Sequence, residues 1–133
     1  VAAFVTGPSS LREAIDYRAV DSALELKQKR SGITSEKFSQ SVDGKPPILN
    51  KGPVLRVNIS GSKGDTTFCV YLNVRCLVFS PAPNSPGATA DLVLWEDGCV
   101  MTGTLSDINS QIQENLKPRL TSFCNDLLKA NPK

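Results

Sequence analysis

Residues Phe68–Phe79, FCVYLNVRCLVF, contain almost nothing but strand-forming side chains. Side chains alternate across a strand, so Phe68, Val70, Leu72, Val74, Cys76 and Val78 make one wholly apolar face. That face has to be buried. Cys69, Tyr71, Asn73, Arg75, Leu77 and Phe79 make the other face, a mixture that suits neither a dry core nor open solvent. The run therefore reads as the central strand of a sheet packed on one side and half covered on the other.

The flanking segments supply neighbours. In VLRVNIS, residues 54–60, Leu55, Val57 and Ile59 face one way while Arg56, Asn58 and Ser60 face the other. GSKGD follows as a turn, which joins this strand to the central one as an antiparallel hairpin. Its glycines and Lys63 lack the spacing of a phosphate-binding loop, so a hairpin loop is the better reading. After the proline-rich SPAPNSPG, the segment ATADLVLW makes a third strand and completes a meander over residues 54–96. A register with Val74 opposite Leu94 and Arg75 opposite Val93 places Val93 and Trp95 on the mixed face, with the Trp95 ring available to Arg75.

Helices are expected at both ends. Leu105, Ile108, Ile112, Leu116, Leu120, Phe123 and Leu127 recur at helical spacing, and Thr104 with Asp107 has the pattern of a capping box, so a helix is expected over 104–130. Pro118 interrupts its hydrogen bonding and predicts a kink near Glu114–Lys117. Beyond a tail at residues 1–9, Ser10 with Glu13 opens a helix over 10–31, carrying Leu11, Ile15, Ala19 and Ala23 on one stripe and stopping at Gly32. A strand over Val20–Lys27 competes with it, but Ala, Glu and Lys favour helix. TSEKFSQSV, residues 34–42, forms a short helix, and residues 43–53 form a loop rich in proline and glycine. With 133 residues and 40% apolar content the chain supports one core, hence a single domain. The expected architecture is α+β: a three- or four-stranded antiparallel meander against a long kinked C-terminal helix, with the N-terminal helix on the other face.

Chemistry is constrained mostly by what the composition omits. The chain has no histidine, which removes Ser-His-Asp and Cys-His machinery, HExxH zinc sites and imidazole acid-base steps. GxGxxG is absent, and Glu96 and Asp97, adjacent on a strand, point to opposite faces and make a poor acid-base couple. No catalytic residue, metal site or cofactor is expected. A net charge of +2 without a concentrated basic face does not favour nucleic acid as a partner. No apolar run reaches the roughly 20 residues of a membrane span, while peripheral membrane contact stays open. A chain that begins at Val1 fits loss of an export or transit segment, and equally a boundary of another origin.

Cys69, Cys76, Cys99 and Cys124 match neither a CxxC redox motif nor a zinc ribbon. The meander places Cys69 opposite Cys99 and turns Cys76 toward the helix carrying Cys124, so disulfides Cys69–Cys99 and, less favoured, Cys76–Cys124 compete with four free buried thiols. A cysteine nucleophile is disfavoured because no base stands near in sequence to raise the thiolate fraction. Asn58-Ile-Ser60 has the form of a glycosylation sequon, but it falls inside a strand.

GPVLRVNIS, YLNVRCLVF, a strand ending in Leu94-Trp95 with glycines after it, and the closing FCNDLLKANPK together resemble a group of uncharacterised small bacterial proteins, often exported. The last helix of that group ends in a similar Phe-Asn-x-Tyr-Leu-x-x-Asn-Pro-Lys motif. The resemblance covers residues 53–133, and the chain departs from it in having Cys124 before Asn125 and Leu127 in place of the aromatic. It implies an exported or organelle-lumen setting and transfers no activity.

The functional expectation is a non-enzymatic protein-interaction module, an accessory subunit of a larger assembly. Its interaction face comprises Tyr71, Arg75, Leu77, Phe79, Val93 and Trp95, an apolar-aromatic patch with one arginine. If the N-terminal helix covers that face, the same residues are core instead. The alternative is a small-ligand binding module between the sheet and the C-terminal helix.

Overall fold

A computed structural model describes residues 2–33, 36–37, 53–81, 84 and 89–130. The elements are β1 (Ala2–Thr6), α1 (Tyr17–Arg30), β2 (Glu36–Lys37), β3 (Val54–Lys63), β4 (Thr67–Pro81), β5 (Thr89–Thr104) and α2 (Ile108–Ala130). The class is α+β. The expected central strand is β4, paired antiparallel with β3 on one side and β5 on the other.

Two features of the sheet depart from the expected meander. Ala2–Thr6, read as a tail, is a strand inserted between β2 and β3 and parallel to both, so the sheet is mixed and its order is β2-β1-β3-β4-β5. Parallel neighbours need a crossover, and α1 supplies it. β5 also runs past Glu96, where the meander was expected to end, and pairs with β4 as far as Thr104. In the segment expected to form a short helix, Glu36 and Lys37 are strand, paired with Ala2 and Ala3. Its remaining residues, and the proline-glycine loop before Pro53, lie outside the described residues.

The core occupies one face of the sheet. Leu55, Val57 and Ile59 of β3 stand opposite Cys76, Val74 and Leu72 of β4, as both alternations require, and all are buried. Phe68, Val70 and Met101 extend this face, and Ala3 and Val5 of β1 pack against it. Ile108, Ile112, Leu116, Leu120, Phe123 and Cys124 of α2 close over it in the same cluster as Leu11, Ile15, Val20 and Leu24. The N-terminal helix therefore shares a face with α2 instead of covering the opposite one. A crossover from β1 to β3 has to pass over one side of the sheet, and the apolar side is where its stripe of Val20 and Leu24 can be buried.

Local signals set the helix ends. Asp16, not Ser10, caps α1, its carboxylate accepting from the Ala19 amide at 3.1 Å, and Ser9–Leu11 is a separate 3-10 turn. At the other end Gly32 adopts φ 75°, Ile33 N–H donates to Gln28 C=O, and Gly32 N–H donates to Lys29 C=O. That pattern is a Schellman termination, as the glycine foreshadows. A 3-10 turn at Leu105–Asp107 leads into α2 without a side-chain cap from Thr104. α2 is one helix through Pro118. The backbone carbonyls around the proline gain side-chain donors: Asn115 to Gln111 at 2.8 Å, Arg119 to Asn115 at 2.8 Å and Thr121 to Lys117 at 3.0 Å.

Gln28 continues the buried stripe of α1 after Val20 and Leu24, yet neither Oε1 nor Nε2 has a hydrogen-bond partner among the described residues. A buried amide without partners costs its full desolvation, about 1–3 kcal/mol. Gln28→Met keeps the shape and removes the unpaired groups, and it is expected to raise unfolding stability by about 1–2 kcal/mol in a urea titration.

Candidate interaction surface

The second face of the sheet is built from rows that run across the strands. Phe4, Arg56, Arg75 and Glu96 stand side by side in one row, and Thr6, Asn58, Asn73 and Gly98 in the next. Two arginines directly opposite each other repel unless a countercharge stands close. Glu96 supplies it: Arg75 Nε lies 3.1 Å from Glu96 Oε1, near enough for charge pairing although the Nε–H is not aimed at that oxygen. Asn73 is buried and donates to Glu96 Oε1 at 2.9 Å and to the Tyr71 hydroxyl at 3.3 Å. The Asn73 hydrogen bond, then Arg75 and the field of Arg56, hold the Glu96 carboxyl below its ordinary 4.5. In the adjacent row the Thr6 hydroxyl donates to Asn58 Oδ1 at 2.8 Å, so the sequon asparagine is engaged within the sheet.

Tyr71 crosses diagonally over Gly98. A Cβ on that glycine would fall 2.6 Å from the tyrosine hydroxyl and 2.8 Å from the Leu72 carbonyl oxygen. The glycine is thus a seat for the ring, and with its neighbours it fixes the one aromatic that this face exposes among the described side chains.

The expected interaction residues divide. Tyr71 and Val93 are on the second face and exposed, and Arg75 is there with Glu96. Leu77 is on this face but fully buried, as is its partner Val54, so it offers no docking surface. The Phe79 side chain lies outside the described residues.

Trp95 is on the opposite face, where its ring meets Phe123 edge-on at 5.4 Å and its Nε1–H donates to Asp126 Oδ2 at 3.0 Å. The cause is a β-bulge. Leu77 pairs with Val93 but Cys76 pairs with Trp95, so Leu94 is extra, and one extra residue reverses which face each later side chain takes.

The observed register also differs from the one expected, with Val74 opposite Asp97 and Arg75 opposite Glu96. Cys69 consequently stands opposite Thr102, and Cys99 opposite Leu72 on the helix-covered face. Neither anticipated disulfide exists; all four cysteines are free. Cys99 Sγ–H points to Asn115 Oδ1 at 3.7 Å, Cys76 and Cys124 are buried, and burial pushes the Cys76 thiol up.

The surface that the sequence did not reveal is β5 itself. It forms one edge of the sheet over its whole length, with no strand beyond it among the described residues. Leu92, Leu94 and Val100 are 55%, 61% and 67% exposed, far more than a strand of a packed sheet usually leaves open. On the second face Val93 stands on one side of the Arg56-Arg75-Glu96 row and Val100 and Tyr71 on the other, while Leu92, opposite Val78, is on the helix-side face and Leu94 is the bulge residue. The signal in the sequence was the unbroken LVL run with only one side of the strand accounted for.

No described helix is long and apolar enough to cross a membrane, and the described His, Cys, Asp and Glu residues form no cluster suited to a metal ion. A concavity lies between α1 and α2. In comparisons with family models, curated proteins and solved structures, the chain matches none.

A carboxyl with a depressed folded-state pKa stabilises above its unfolded value and loses that contribution as pH falls through the folded one. Wild type should therefore exceed Glu96→Gln in stability above pH 4.5 and converge with it on acidification below that value, as followed by denaturant midpoints across the acid limb. In a native thiol-labelling time course read by mass spectrometry, exposed Cys69 is expected to react first, with Cys76 and Cys124 protected until unfolding.

Proposed function

We propose that this protein is a non-enzymatic interaction module, an accessory subunit of a larger assembly, that receives its protein partner along the β5 edge and the adjoining second face. The observation that carries the reading is the long edge strand, unpaired on its outer side among the described residues, with Leu92, Val93 and Leu94 exposed. Such an edge presents a row of backbone donors and acceptors that natural proteins usually cover, twist away or charge.

Here the blunting is partial. Glu96, Asp97 and the bulge at Leu94 interrupt the strand, which divides the edge into a short apolar stretch ahead of them and the stretch around Val100 behind them. A partner segment adding to the first stretch would take main-chain hydrogen bonds from the edge and specificity from the leucine side chains. Tyr71 and Arg75 belong to the residue types enriched where partners anchor, and Asn73 and Gly98 hold Tyr71 in place before any partner arrives.

The test is a double substitution, Leu92→Lys with Leu94→Lys, at side chains that are already exposed. The variant should keep the wild-type melting temperature within a few degrees and weaken the native co-purifying complex by about thirtyfold or more, the cost of losing an anchor worth about 2 kcal/mol. An unchanged complex would remove β5 from the interface.

A further inference from the structure

α1 and α2 together line a cavity of about 360 Å³ that opens to solvent. Its apolar lining comes from Ala23 and Leu26 on α1 and from Leu116 and Leu120 on α2. Its polar lining is unbalanced: Lys27, Arg30 and Lys117 face a single carboxylate, Glu114. None of the three cations forms an ion pair among the described residues. Leu26 is 47% exposed, more than a helix side chain beside an apolar neighbour usually remains.

We propose that this groove binds a single-chain amphiphile with an anionic head, of the chemistry of a medium-chain fatty carboxylate. The chain lies against Ala23 and Leu26, above the buried Leu116 and Leu120, and the head group pairs with Lys27, Arg30 and Lys117. Size selects the occupant. The volume is that of a small-molecule site. Charge selects the head group: a cationic amphiphile would add to the uncompensated lysines and arginine, and a neutral one would leave them unpaired. Both helices supply cations to the lining, Lys27 and Arg30 from α1 and Lys117 from α2.

The experiment uses the full chain and titrates octanoate, decanoate and dodecanoate below their micellar concentrations by calorimetry, with decanol and decyltrimethylammonium as controls. Affinity should rise about fourfold per added methylene until the groove is full. Decanol should bind at least about tenfold more weakly than decanoate, and the cationic amphiphile should not bind saturably.

The variant Lys27→Gln/Arg30→Gln/Lys117→Gln should lose about tenfold for decanoate and nothing for decanol. Ala23→Phe, which fills the groove from α1, should abolish both; thermal melts verify that each variant is folded. Equal binding of decanoate and decanol, or wild-type affinity in the triple variant, would overturn the proposal. So would association with anionic vesicles or an acidic peptide in the absence of saturable binding by monomeric decanoate. Leu92→Lys/Leu94→Lys should bind decanoate as wild type does, which separates this site from the β5 interface.

Discussion

The apolar face of β4 has to be kept dry, and most of the architecture is the means of doing so. β3 and β5 continue that face sideways, and α2 returns along β5 to roof it. The return is pinned at intervals by polar contacts: Trp95 to Asp126, Asp97 to Arg119 at 3.8 Å, and Cys99 to Asn115. Gln111 lies against Gly103 at the end nearest the turn. From Trp95 to Gly103 the strand advances about 26 Å, and from Asp126 back to Gln111 the helix advances about 22 Å. The two rises nearly match, so one continuous helix can touch residues of one strand along its length without drifting off it.

On the other face the same strands carry a different solution. Burial there is partial, and polar groups are tolerated because they satisfy one another: Asn73 serves both Glu96 and Tyr71, and Glu96 offsets two facing arginines. Removing one member of such a network exposes the need of the others, which is why a small polar patch can hold a sheet face in one arrangement. The exposed leucines and valines of β5 lie outside this network, so they remain available without destabilising it.

How much of this was legible in the sequence depended on whether the signal was local. The alternation of Leu55, Val57 and Ile59, the opposing parity of β4 and the helical spacing from Ile108 to Phe123 are local, and each element forms where its pattern places it. Gly32 likewise ends α1. β1 was missed because AAFVT has no alternation and pairs in parallel with residues far along the chain, a relation that no local pattern records. One extra residue, Leu94, explains why Val93 was assigned to its observed face while Trp95 was not. An error of register likewise removed the Cys69–Cys99 pairing. Leu77 shows a different limit: its face was read correctly, but burial depends on what lies over a face, and parity is silent about that.

The parallel placement of β1 has a consequence for how the molecule is made. β3, β4, β5 and α2 follow one another in the chain, and neighbours in sequence are neighbours in space, so they can condense through short loops with little entropy to overcome. β1 and α1 leave the ribosome before β3, yet their place beside β3 does not exist until that hairpin has formed. Segments made earlier than the hairpin then dock after it. Until it does, β3 is itself an open edge, so the finished sheet has one exposed apolar strand where its precursor has two.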